Sequence, residues 1–371
     1  MPRITIPATA TRHETDVTTY QTTTYIQIAS RMILKWESWN AGESLDIIPV
    51  ERWDVSSVQE LGLAGFPCMY TKHRLKGLLM PAALFVLGSG ALAQGEKIYW
   101  VDAFTEKVQR ANLEIPREET PSSRSDVEDL VVADLDRPFG IAVDAARGHV
   151  YWSDYVTRTI SRANLDGSEP TPVVATGLKL PGGLALDPDD SKIYWVDAGT
   201  DKLQRANLDG SDVEDLVTEG LSIPTAVALD LQQGHVYWSD IGNNTITRAT
   251  LAGGNVTPVI TEGLGSPVSI AIDATNGKLY WSDTRPYSGS SDSHIKRVNL
   301  DGSSEETVAL GTTPFRIFAG IALDPAAGKI YWTDAQLQRI TRANLDGTNQ
   351  EDMLTTGLHA PQGIAVYRTK P

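Results

Sequence analysis

Six copies of the tetrapeptide Tyr-Trp-x-Asp, an aliphatic strand ahead of nearly every copy and a turn-rich hairpin after each point to one fold class. The chain is predicted to be all-β, a six-bladed β-propeller of four-stranded blades, with the ring closed by the C-terminal strand joining the N-terminal blade. The motifs are Tyr99-Trp100-x-Asp102, Tyr151-Trp152-x-Asp154, Tyr194-Trp195-x-Asp197, Tyr237-Trp238-x-Asp240, Tyr280-Trp281-x-Asp283 and Tyr331-Trp332-x-Asp334. They stand 52, 43, 43, 43 and 51 residues apart, so the unit is 43 residues long and two copies carry insertions.

Residues 1–68 show no repeat and no sustained helical or strand period, and are read as a non-translated or disordered extension. Residues 69–93 have the anatomy of a secretory signal peptide. Lys72, His73, Arg74 and Lys76 form a basic segment, Leu78 to Leu87 an apolar run, and Ala91-Leu92-Ala93 a small-x-small cleavage site. The run is shorter than the roughly 20 residues of a spanning helix, so no stable membrane span is expected after cleavage. A signal peptide acts at an N-terminus, which places the start of translation at Met69 and the propeller at residues 94–371. The protein is then exported, to the extracellular space or a periplasm.

Within one unit, strands are expected at about 139–144, 149–154, 158–163 and 171–175, with Asp and Gly at the turns. In the inner strand, Ile141 and Val143 point to one face and Gly140 and Ala142 to the other. Blades stacked near a crowded axis then set a bulky face against a small one. The last inner-strand pattern, PQGIAVY (361–367), has no motif after it, and the first motif has no inner strand before it. Together they make one blade, which leaves the ring without an open seam.

On these residues the chain resembles the YWTD, or low-density lipoprotein receptor class B, repeat family, over residues 95–367. The resemblance implies a six-bladed propeller. One motif of the six has Thr at its third position, and the disulfide-bonded modules that flank such propellers in animal receptors are absent, so receptor roles do not carry over.

Residues 1–93 hold eight acidic and eight basic side chains, so the formal charge of -15 falls on residues 94–371. Such a surface repels polyanions, and no nucleic-acid partner is expected. Cys68 is the single cysteine, which removes disulfide frameworks and thiolate metal sites. No G-x-S-x-G or H-E-x-x-H motif occurs, and DPDDSK (187–192) lacks the glycine and distal glutamate of an EF-hand. His149 and His235 take the position of a Lys in other units and read as solvent-facing. No catalytic residue, metal ligand or cofactor is assigned.

Each motif Asp has an Arg on the next strand: Arg110, Arg162, Arg205, Arg248, Arg297 and Arg342. Sixfold recurrence argues for structural ion pairs, Asp to Arg, that fix blade geometry. Binding is sought where units differ. The insertion at 114–124 reads as a flexible solvent loop. The other insertion divides between 284–294 and 311–318, two connections on one face of a propeller. It carries Arg285, Tyr287, Phe315, Arg316 and Phe318, the composition of an interaction hot spot.

The leading expectation is a non-catalytic, exported propeller that binds a protein or carbohydrate partner. One alternative is a metal-dependent hydrolase of the gluconolactonase-like six-bladed class, with its metal at the axis. Another is a structural surface protein that self-associates.

Overall fold

The computed structural model describes residues 12–16, 21–29, 32–39, 42–49, 96–284, 293–311 and 317–368. The chain divides into two compact units, 1–87 and 88–371. In the first, strands Arg12–Asp16, Gln21–Ala29, Met32–Trp39 and Gly42–Pro49 form an antiparallel meander. The sequence reading gives these residues no elements. Their Thr, Ile, Tyr and Trp content favours strand, without a repeat to reveal it. The predicted signal segment 69–93 lies outside the described residues.

The second unit is six four-stranded antiparallel sheets, here blades I to VI. Blade II shows the plan, with strands Pro138–Asp144, His149–Asp154, Thr159–Asn164 and Thr171–Val174 running from inner to outer. Blades III to VI occupy 181–217, 224–260, 267–310 and 318–354. Blade I is composite. Its inner strand, Pro361–Tyr367, pairs antiparallel with Lys97–Asp102, setting Ile364 opposite Trp100 and Ala365 opposite Tyr99. The ring closes as the sequence predicts.

Adjacent strand residues point to opposite faces, so each Tyr-Trp pair feeds two cores at once. Tyr99 of blade I packs in one core with Trp152 of blade II. Tyr151 meets Trp195, Tyr194 meets Trp238, Tyr237 meets Trp281, and Tyr280 meets Trp332. Tyr331 of blade VI and Trp100 of blade I share the sixth core and seal the ring. The inner strands obey the predicted bulky-against-small rule. Ile141 and Val143 join the core shared with blade I, and Ala142 joins the core shared with blade III. A Cβ on Gly182 would stand 2.6 Å from the Thr225 carbonyl oxygen of blade IV, so the backbones approach too closely for any side chain.

An antiparallel meander puts the second-to-third turns and the outer-to-inner connections of every blade on one face. The inner-to-second and third-to-outer turns lie on the other.

Candidate docking face

The motif aspartates are buried, and they do not face the arginines. In blade I, Asp102 lies opposite Lys107, while Arg110 lies opposite Tyr99, three register positions away. The other five blades keep that register. The predicted Asp–Arg pairs Asp102/Arg110, Asp154/Arg162, Asp197/Arg205, Asp240/Arg248, Asp283/Arg297 and Asp334/Arg342 are therefore replaced by two separate devices. Eight residues of spacing reach across this hairpin to the wrong rung.

The first device is a carboxylate that collects backbone N–H groups. Asp102 accepts from Phe104 and Thr105 of its own turn, and from His359 and Ala360 of the connection that enters its blade. Asp197 does the same with Gly199, Thr200, Lys179 and Leu180. Asp154 and Asp240 likewise bind both loops. Asp283 holds Gly265 and Ser266, and Asp334 holds Leu337. Burial pushes the Asp240 carboxyl above its usual pKa, against the pull of the Ser222 and Asn243 N–H groups. These aspartates fasten the loops of one face from beneath. That face is therefore a fixed platform, which suits recognition.

The second device joins blades. Arg205 forks onto Glu214 of the outer strand through Nε and Nη2, at 3.0 and 2.8 Å, and its Nη1 reaches the Leu251 carbonyl of blade IV at 3.0 Å. Arg110 with Glu128 and Leu165, and Arg297 with Glu306 and Leu345, repeat the arrangement. Arg342 binds Glu351, Glu114 and the Leu113 carbonyl, across the closing seam.

Of the predicted binding residues, Arg285, Tyr287, Phe315 and Arg316 lie outside the described residues. Phe318 is misplaced by the sequence reading. It is 1% exposed and sits edge-on to Trp332, with ring centroids 6.2 Å apart. It heads the inner strand of blade VI opposite Asp334, the position Pro138 holds opposite Asp154 in blade II. Aligning the units on that proline would have assigned it to the core. The insertion at 114–124 is tied down rather than flexible. Arg124 is buried, pairs with Asp126 and donates to the Met353 carbonyl of blade VI, and Thr355 N–H binds the Pro121 carbonyl. His149 and His235 are half-buried, each edge-on to the neighbouring Tyr. Burial lowers the His149 pKa.

The platform carries apolar side chains that the sequence reading missed. Phe104 is 78% exposed, and Val132, Val156, Leu180, Ile223 and Leu337 rise on the same face. Of eleven exposed large hydrophobic residues among those described, only Val213, Leu231 and Val256 lie on the opposite face. The signal was present in the repeat: Leu180 and Ile223 both directly precede the proline that heads an inner strand. Fixed loops that hold exposed aliphatic groups make a docking surface rather than a scaffold.

The axis holds a cavity of about 70 Å³ between the inner strands. Ser269 and Gln362 are its polar side chains, and no carboxylate or imidazole lines it. Among the described residues no group of three His, Cys, Asp or Glu is placed to hold a metal. In the acidic 187–192 turn, Asp187 accepts from its own Asp190 N–H.

The sequence pattern described as low-density lipoprotein receptor repeat class B matches residues 148–188, 191–231, 234–274 and 328–368. These four segments are YWTD repeats of that family. Low-density lipoprotein receptor-related protein 4 of Homo sapiens is 56% identical over 43 residues, 12% of this chain and 2% of that protein. Nidogen-2 of Mus musculus is 38% identical over 98 residues, 26% of this chain and 6% of that protein. The YWTD chain thus spans a few per cent of the length of these relatives. A chain in the solved structure of a nidogen/laminin complex superposes with a TM-score of 0.64 at 23% identity, covering 73% of this chain and 98% of that one, which is a likeness of fold.

Proposed function

We propose that this YWTD propeller is an exported protein-interaction module that docks a protein partner on the face built from its second-to-third turns and outer-to-inner connections. The observation that carries this reading is the asymmetry of exposed apolar groups, concentrated on the face whose loops the motif aspartates hold. A few well-packed anchor side chains supply most of the energy of protein recognition, and the buried core of such an interface is more apolar than the surrounding surface. The similar fold of a chain in the solved nidogen/laminin complex supports a protein partner. The signal-like segment at 69–93 supports export. The axial cavity lacks the carboxylates that a metal-dependent hydrolase of this architecture would use. Arg285, Tyr287, Phe315 and Arg316 stay with the proposal as residues of the two extended connections on this face.

Affinity capture from the native extracellular fraction tests it, with the wild type beside three variants. Phe104→Asp and Ile223→Asp should each weaken capture of a specific partner by about tenfold or more, the scale of a lost anchor. Leu231→Asp on the opposite face should leave it unchanged. Loss of capture in Leu231→Asp alone would assign docking to the other face.

A further inference from the structure

Six blades place an arginine at one position of the third strand, and the residue opposite it on the outer strand differs. Glu128, Glu214, Glu306 and Glu351 face Arg110, Arg205, Arg297 and Arg342. Thr171 and Thr257 face Arg162 and Arg248 in the same register. In blades I, III and V the glutamate takes both Nε and Nη2 of the guanidinium, and in blade VI Glu351 takes Nε while Glu114 takes Nη1. Among the described residues Arg162 and Arg248 have no ion-pair partner, and there Arg248 donates only a 3.4 Å hydrogen bond to the Tyr237 hydroxyl. The molecule thus displays three times how one carboxylate forks onto this guanidinium, once how two carboxylates share it, and twice leaves the seat without one.

We propose that Arg248 in blade IV is a binding site for an external carboxylate, the side chain of an acidic residue on a protein partner. Arg162 holds the same register, but the turn ahead of its outer strand carries an acid, Glu169, which accepts a hydrogen bond from Asn164. In blade IV the matching turn residue is Asn255, which is exposed, and the exposed Thr257 hydroxyl stands across from the arginine. Blade IV itself therefore adds no charge to the lip of the Arg248 site, and the nearby carboxylate is Asp301 in the turn of blade V, which makes no ion pair with it. A planar guanidinium accepts a carboxylate through two parallel hydrogen bonds, so the site selects carboxylate geometry over a spherical anion. The site belongs to the outer rim, toward the face opposite the apolar platform, and stands independently of the docking reading above.

The test uses the Arg248 Nε–H resonance of the full chain, assigned by its loss in Arg248→Lys. Probes are a tetraglutamate peptide, a tetraglutamine peptide and sodium acetate, compared at equal ionic strength. Tetraglutamate should shift the resonance saturably, tetraglutamine should not, and acetate should need a higher concentration of carboxylate for the same shift. Thr257→Glu supplies the seat with an internal carboxylate, as Glu214 does in blade III. That variant should weaken the tetraglutamate response about tenfold or more, the scale of one charged hydrogen-bonded pair, while its melting temperature rises. Absence of a saturable shift overturns the site. A response unchanged in Thr257→Glu places binding elsewhere and overturns it too. Acetate acting as well as the peptide, per carboxylate, overturns assignment to a partner side chain.

Discussion

Blades I and III differ from blades II and IV in a way that runs through the whole sheet. In blade III, Trp195 donates to Gln204 at 3.1 Å, Gln204 donates to Asp215 at 2.7 Å, and Lys202 closes the row on Asp215 at 2.6 Å. Blade I repeats this with Trp100, Gln109, Asp129 and Lys107. In blade IV, Trp238 faces Thr247, and Thr247 faces Pro258 where blade III has Asp215. The third motif residue follows the same division. Val101 and Val196 pack fully buried in I and III. Ser153 and Ser239 instead accept the Gly140 and Ala226 N–H groups of the inner strand, and Ser153 also donates to the Gly182 carbonyl of the next blade. The alternation is written in the chain: SDVEDLV recurs at 125–131 and 211–217, and HVYWSD at 149–154 and 235–240, both 86 residues apart. The working repeat of this half of the ring is a pair of blades. One member is joined to its neighbour by charge, the other by hydroxyl and packing. Open outer edges are guarded in both styles, by Glu-Asp on one and by Pro172 or Pro258 on the other.

The largest expected effect tests whether the two kinds of blade share one core. Trp195→Ala and Trp238→Ala should each cost about 3–5 kcal/mol, the range for large buried aromatics. Trp195→Ala should cost about 1 kcal/mol more, because it leaves the Oε1 of buried Gln204 without its indole donor. Denaturant unfolding of both variants measures the difference. Equal losses would show that the Trp–Gln–Asp row contributes nothing beyond packing.

What was legible in the sequence was whatever repeats. The Tyr-Trp pair revealed the blade because it must serve two faces at once, and the missing inner strand before Lys97 revealed the composite blade. What was lost was rung and direction. Asp102 and Arg110 are eight residues apart and oppositely charged, and spacing alone does not tell that the hairpin sets Arg110 beside Tyr99. Phe318 looked like an exposed hot-spot residue because its loop is long, although its column in the repeat is a core column. The apolar platform was hidden for the converse reason. Phe104, Leu180 and Ile223 look like core residues in a string, and only the turn geometry turns them outward.

A middle-sized effect separates the inter-blade joints. Arg205→Gln removes a guanidinium held by Glu214 and by the Leu251 carbonyl, and should cost about 1–2 kcal/mol. Arg248→Gln removes one without an ion pair, and should cost less than about 0.5 kcal/mol. Thermal unfolding of the two variants decides the matter. Equal losses would mean that the glutamate adds nothing to the joint and that the arginines act through their aliphatic stems.

The smallest effect distinguishes the blades by acid. The Lys202 ammonium beside Asp215 holds that carboxyl below its usual pKa, and Gln204 adds a further hydrogen bond, so the group is more acidic folded than unfolded. A depressed carboxyl contributes stability that is fully present above its unfolded pKa, about 4, and that fades as pH falls through the folded value. Glu128 behaves alike under the Arg110 guanidinium. Blade IV has Pro258 in the Asp215 column and no carboxyl to titrate there. Asp215→Asn should therefore lower the melting temperature at neutral pH, and the gap to wild type should close as both proteins are taken from about pH 5 to pH 2. Substituting Pro258→Ala, which removes no charge, should give an offset that does not depend on pH. A gap for Asp215→Asn that stays constant across the range would show that Asp215 acts by shape and hydrogen bonding alone, and the division between charged and uncharged blades would then carry no electrostatic energy.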